Sequence, residues 1–225
     1  MKAMFFDLDN TLYDAQQYFL GAFNNISKYI SLKYNIPKQE VHKALVELWS
    51  EKTSMYPHLL DDLLGLFHID QDSTKVIVKI FNEYTGKLEP YPDVFPVLQM
   101  LRQTGYKLGI ITDGDVERQK RKIESLKFEP LFDVIIYAKE TESKPSSLPF
   151  LASLEKLKAN ATDVFYVADN PLIDFKGAKE AGLKTIRILR GEFTKVPRNE
   201  YIDFEIEKLE ELLEIINKWE KALQL

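Results

Sequence analysis

The chain has no cysteine among its 225 residues and only three histidines. The first absence excludes disulfides, thiolate zinc sites, iron–sulfur clusters and a cysteine nucleophile. His42, His58 and His68 fall within one 27-residue stretch, so a catalytic triad or a multi-histidine metal site would have to come from that stretch alone. Arginine is scarce, with 6 residues against 24 lysines, and no basic run interrupts a net charge of −5. That balance argues against nucleic acid as the main partner. No apolar run approaches the roughly 20 residues that span a bilayer, so no membrane partner is expected. Met1-Lys2-Ala3-Met4-Phe5-Phe6-Asp7 reaches a charge too early for a signal peptide, and the expected compartment is the cytoplasm.

What is present is the composition of a globular protein, 45% hydrophobic and 29% charged, with enough length for a large core. Ala3–Phe6 is a short apolar run without a polar alternation, as in a strand buried on both faces. Similar runs follow at Lys107–Ile111, Asp133–Tyr137, Val164–Ala168 and Lys184–Leu189, separated by helical patterns. That alternation predicts an α/β core with a Rossmann-like parallel sheet.

Several helix ends can be read directly. Pro92-Asp93 starts a helix whose apolar face is Val94, Val97, Leu98 and Leu101, and Gly105 stops it. Asp115 can cap the next helix. Ser146 or Ser147 can cap a third, with Leu151, Leu154 and Leu157 at helical spacing. A fourth is expected from about Leu172 to Ala181, and a C-terminal surface helix carries Ile206, Leu209, Leu213, Ile216 and Leu223 on one stripe.

Residues 14–90 break the pattern. Four helical segments, roughly 15–34, 38–51, 57–67 and 72–86, are punctuated by Pro37, Pro57 and Gly65. The segment ends at the stiff joint Glu89-Pro90-Tyr91-Pro92. The expected organisation is therefore an α/β core, residues 1–13 and 91–225, with an inserted all-helical domain over 14–90.

Ligands of an open parallel sheet bind beyond the carboxyl ends of its strands. The first expected strand is followed by Asp7-Leu8-Asp9-Asn10-Thr11, the second by Thr112-Asp113-Gly114, the third, a few residues on, by Lys144-Pro145, and the fourth by Asp169 with Asp174 five residues later. Each group has an ordinary alternative. Asp or Thr after a strand is commonly a turn former or helix cap, and Lys-Pro is commonly a solvated loop. Their combination on one sheet edge, in strand order, points to a site. Four carboxylates packed together repel one another, and Lys144 alone does not balance them. A divalent cation with oxygen ligands would, and Mg²⁺ suits that donor set together with a substrate phosphate. Thr112 and Lys144 would face that phosphate.

Phe6-Asp7-Leu8-Asp9-Asn10-Thr11-Leu12 resembles the first motif of the haloacid dehalogenase superfamily. Ile111-Thr112-Asp113 resembles its second, Lys144-Pro145 its third, and Asp169 with Asp174 its fourth. Tyr91-Pro92-Asp93-Val94 and Gly177-Ala178-Lys179-Glu180-Ala181-Gly182 are similar to its connecting segments, so the likeness covers nearly the whole chain. A helical cap inserted after the first motif matches one subgroup.

The resemblance implies a nucleophile at Asp7 that forms an aspartyl phosphate, and a general acid and base at Asp9. It implies phosphate binding by Thr112, Asp113 and Lys144. Mg²⁺ would be held by Asp7, by Asp9 through its backbone carbonyl, and by Asp169, with Asp174 a ligand or a support; Thr11 would brace the loop. Two departures stand out: Ala168 where a glycine is common, and Asp113 where asparagine is frequent. Family members that displace halide lack the second aspartate, so Asp9 favours phosphoryl transfer. The implied function is hydrolysis of a small phosphorylated metabolite, such as a sugar, triose or nucleoside phosphate, by a monomer or homodimer. A phosphomutase of the same fold and a non-catalytic phospho-acceptor are the alternatives. Within the cap, Tyr18, Phe19, Trp49 and Tyr56 suit a hydrophobic core, and Phe19, Phe23 and Asn24 are the candidate specificity face.

Overall fold

A computed structural model describes residues 1–222. Its sheet has six strands, β1 (Ala3–Phe6), β2 (Lys107–Thr112), β3 (Val134–Tyr137), β4 (Val164–Ala168), β5 (Lys184–Ile188) and β6 (Phe204–Ile206). They lie in the order β3-β2-β1-β4-β5-β6, and every pair is parallel. The chain thus adds strands on one side of β1 and then crosses to the other, which opens a crevice at the carboxyl ends of β1 and β4. Residues along a strand alternate between faces. Ala3 and Phe5 join Phe150, Tyr166, Phe175 and Ala178 in a buried cluster on one face. On the other face, Phe6 meets the Phe132 ring edge-on at 6.3 Å. With both faces covered, the strands carry apolar runs rather than alternation, as expected.

The chain divides into two compact units, one formed by Met1–Asp14 with the chain from Glu89 onward, the other by Ala15–Leu88. The second unit contains α1 (Gln16–Tyr34), α2 (Lys38–Lys52), α3 (Leu59–Leu66) and α4 (Thr74–Asn82). Asn35 takes a left-handed conformation (φ 57°) and ends α1, its N–H returning to the Ser31 carbonyl. Phe23, Ile26, Ile30, Val41, Leu45, Leu63, Leu64 and Ile77 form the core of this unit. Within the first unit, Tyr13 and Pro90 form an antiparallel bridge, and the Tyr91 N–H donates to the Leu12 carbonyl at 3.0 Å.

The core helices are α5 (Val94–Gln103), α6 (Val116–Ser125), α7 (Leu148–Leu157), α8 (Phe175–Glu180) and α9 (Leu212–Ala222). Asp115 caps α6 as expected, accepting the Arg118 N–H at 2.9 Å. Three expectations need correction. Ile206 belongs to β6, paired with Ile188, and not to the C-terminal helix. That helix starts at Leu212, so Leu212 and Ile216 are its buried stripe and Leu213 faces solvent; Leu223 lies outside the described residues. On α7, Phe150 and Ser153 are buried with Leu154 and Leu157 packed beside them, whereas Leu151 is exposed. Finally, α8 begins three residues later than expected, because residues 170–174 form a tight loop closed by Asp174.

Candidate active site

Asp7 directly follows β1, and its N–H continues the ladder to the Val167 carbonyl at 2.9 Å. The side chain is nearly sealed from solvent. Lys144 Nζ lies 2.7 Å from Asp7 Oδ1 and 2.5 Å from Asp174 Oδ1, and it also reaches the Tyr166 hydroxyl at 3.2 Å. The other Asp174 oxygen accepts the Asn170 N–H at 3.0 Å, which closes the loop after β4. Asp169 starts that loop and is buried, and its Oδ2 has no hydrogen-bond partner.

Burial pushes Asp7 up to about 7; Lys144 opposes the rise, while Asp174 and Asp9 add to it. Asp169 is pushed well above the carboxylate range by burial, then by Asp174 and Asp7. For Lys144, burial favours the neutral amine, but Asp174 and Asp7 outweigh it and hold the ammonium firmly charged. The cluster is short of positive charge, and burial together with neighbouring carboxylates raises the proton affinity of two of its acids.

Asp9 turns elsewhere. Lys122 Nζ donates to both its oxygens, at 2.7 and 2.9 Å; Gln119 Nε2 donates to Oδ2 at 2.9 Å, and the Tyr13 hydroxyl donates to Oδ1. Burial alone would raise this carboxyl, yet Lys122 and these hydrogen bonds lower it to about 2. Gln119 Nε2 also lies 2.5 Å from Thr112 Oγ1 at the end of β2. Asp113 is directed away from the cluster. It accepts from the N–H groups of Gly114 at 2.7 Å and Lys144 at 2.8 Å and from the Ser143 hydroxyl at 2.9 Å. Its carboxylate therefore ties the β2 loop to the loop that carries Lys144. Gly114 sits at φ 114°, a conformation L side chains rarely adopt.

Two more contacts brace these loops. Gly177 on α8 lies so close to the backbone of residues 145–146 that a Cβ there would be 2.3 Å from the Ser146 carbonyl oxygen and 2.4 Å from that of Pro145. Arg190 stacks over the Tyr91 ring at 4.2 Å, pairs with Asp93 and donates to the Thr11 carbonyl at 3.0 Å. Thr11 thus holds the loop through its carbonyl; its buried hydroxyl has no partner.

Asp7, Lys144, Asp169 and Asp174 lie together, but the four aspartates are not a ready-made cage. Among the described residues, no three His, Cys, Asp or Glu side chains are grouped to hold a metal ion. The reason is that Asp9 is bound to α6 and Asp174 to Lys144. A cation remains compatible with the oxygen-only donor set. The Asp169 oxygen without a partner belongs to a buried group in which Asp7, Asp169 and Asp174 share one lysine, Lys144, so the group is short of positive charge.

Sequence reasoning overlooked Lys122, Gln119 and Tyr166. Lys122 and Gln119 precede Leu126 and Ile123 by four residues, so both fall on the apolar stripe of α6, and a polar residue on such a stripe is the clue that was available. In the helical unit, Tyr18, Phe19, Trp49 and Tyr56 pack as core, with Phe19 stacked on Trp49 at 4.9 Å. Phe23 is buried among them, so of the candidate specificity residues only Asn24 is exposed. His58 and His68 are exposed and His42 is half-buried. No described helix is long and apolar enough to cross a membrane.

A family model described as haloacid dehalogenase-like hydrolase matches residues 4–188. A glyceraldehyde 3-phosphate phosphatase of Methanocaldococcus jannaschii is 32% identical over 98% of this chain and 99% of its own. One of the same name from Pyrococcus abyssi is 34% identical over 96% of this chain and 94% of its own. The crystal structure of a HAD phosphatase from Thermococcus onnurineus is 29% identical, superimposes with a TM-score of 0.68, and is covered over 96% of this chain and 98% of that one. The strand order, the acids at the crevice and these similarities agree: the chain belongs to the haloacid dehalogenase-like hydrolase family.

Proposed function

We propose that the protein is a Mg²⁺-dependent phosphatase that hydrolyses a small phosphate monoester through an aspartyl phosphate on Asp7. The observation that carries this reading is the buried Asp7–Lys144–Asp174 group beside an Asp169 oxygen without a donor. Asp7 and Asp169 would contact Mg²⁺ with their side chains, and Asp9 with its backbone carbonyl. Asp174 would support that loop. When bound, Mg²⁺ supplies counter-charge for the acids and for the phosphate.

In the proposed first step, Asp7 attacks phosphorus, the ester P–O bond breaks, and Asp9 gives its proton to the leaving alkoxide. Water then gives a proton to Asp9 and attacks phosphorus, which releases phosphate and restores the Asp7 carboxylate. Asp9 as it stands is ionised, the form required to accept a proton. Approach of a phosphate dianion favours the protonated form needed for the first step, because like charges repel. Lys144 and the Thr112 hydroxyl hold phosphoryl oxygens. Asp113 positions the Lys144 loop and is not itself the phosphate ligand. The helical unit acts as the cap that selects the substrate.

The names of the relatives make glyceraldehyde 3-phosphate the first substrate to test, and a cytoplasmic monomer or homodimer is the form proposed. Phosphate release from an aryl phosphate and from glyceraldehyde 3-phosphate, with and without Mg²⁺, tests the reading. Turnover that requires Mg²⁺ and is lost in Asp7→Asn, with an unchanged circular dichroism spectrum, is expected. Folded, metal-loaded protein inactive on these and on a broad panel of phosphate esters would overturn it.

A further inference from the structure

The Asp9 carboxylate accepts four hydrogen bonds, from Lys122, Gln119 and Tyr13, and three of them come from one helix. Gln119 and Lys122 are one turn apart on α6, and both are buried on the face turned toward the sheet. Between them they make three hydrogen bonds to Asp9, and Gln119 makes a further one to Thr112. Burying a lysine head and a glutamine amide costs free energy unless each finds a partner. Leucine or isoleucine at these positions would satisfy the packing of α6, so packing alone does not account for them. Their common feature is the residue they face.

We propose that Lys122 and Gln119 are positioning residues that orient the Asp9 carboxylate for proton transfer and hold Thr112 in register with it. The proposal rests on the phosphatase reading and adds to it the residues through which Asp9 is set. Lys122 donates to both Asp9 oxygens and so fixes the plane of the carboxylate. Gln119 spans from Asp9 to Thr112 and so couples the acid–base group to the phosphate-binding hydroxyl. The Tyr13 hydroxyl supports one oxygen from the side of the β1 loop. Lys122 reaches neither substrate nor water in this role; it acts through Asp9.

Leaving-group dependence separates this role from general structural support. Transfer of phosphate from a nitrophenyl ester needs no proton for the departing phenolate, whereas transfer from an alkyl ester does. General acid help of this kind is worth about 10²–10⁴-fold. Lys122→Met is expected to lower kcat/KM for an alkyl phosphate by about 10²-fold or more. The loss for nitrophenyl phosphate is expected to be small. Lys122→Arg, which keeps a charged donor, is expected to restore most of the alkyl ester activity, and Gln119→Leu to show the same asymmetry as Lys122→Met. Thermal midpoints by circular dichroism identify any variant that does not fold, and Gln119→Leu and Lys122→Arg then carry the test. Equal losses on the two esters, or no loss in the folded variants, would overturn the proposal. Absence of turnover by the unaltered protein on both esters would bring down the phosphatase reading instead, and this role of Lys122 with it.

Discussion

Lys144 Nζ lies 2.7 Å from Asp7 Oδ1, with the lysine side chain 3% and the aspartate side chain 10% exposed. The same ammonium serves Asp174, so its removal strands two buried carboxylates at once. Breaking a buried pair from one side costs about 3–5 kcal/mol. Lys144→Met is expected to lose stability on that scale in urea unfolding and to lose turnover as well. An unchanged unfolding midpoint would contradict the pairing.

Asp169 gives a direct test of cation binding. A ligand that binds only the folded state stabilises it by about 2.7 kcal/mol at a hundred times its Kd. Mg²⁺ is expected to raise the thermal midpoint of the unaltered protein, and Asp169→Asn to abolish the rise. The measurement needs no substrate. A midpoint insensitive to Mg²⁺ in both proteins would remove the cation from the proposed chemistry.

Gly177 is required by space. Adding a methyl group forces α8 away from the backbone of residues 145–146, and overpacking of this kind costs about 1–3 kcal/mol. Because Lys144 precedes that backbone directly, Gly177→Ala is expected to reduce turnover more than its loss of stability explains. Calorimetry and kcat measured on the same sample make the comparison.

Two surface acids set part of the acid limit of folding. Burial alone would raise Asp133, but the Leu108 N–H, Lys107 and Arg102 lower it; burial likewise would raise Asp203, but Lys179 and Thr185 lower it. An acid lowered in the folded state adds stability that is complete above its ordinary value of 3.8 and is lost as pH falls below it. Asp203→Asn is expected to be less stable than the parent at neutral pH, with the difference narrowing in acid. A constant difference across that range would contradict the assignment.

Much of this molecule could be read before its structure. Buried parallel strands are written in runs such as Phe165-Tyr166-Val167, and the acids that follow β1 and β4 stand at fixed places relative to those runs. The β6 strand was not visible, since three residues pairing only through β5 have no period of their own and Ile206 also fits a helical stripe. Leu151 and Leu213 were misplaced because a neighbouring apolar residue, Phe150 or Leu212, is the one that faces inward. The largest omission was the second lysine. A reading of carboxylates alone leaves four charges against Lys144, whereas Lys122 neutralises Asp9 from a helix whose register decides which of its many charged residues point inward. Side-chain direction also decided Asp113, whose carboxylate serves the loop bearing Lys144.

The bridge between Tyr13 and Pro90 and the bond from Tyr91 to Leu12 close the base of the inserted segment with atoms that belong to the core. An insertion closed in this way is a socket, in which the core itself holds the two chain ends side by side. The entropy of closing the intervening chain grows only slowly with its length. Exchanging the four helices for a longer, shorter or differently folded module therefore leaves the register of the six strands to the core, and Asp7 keeps its place beside Val167.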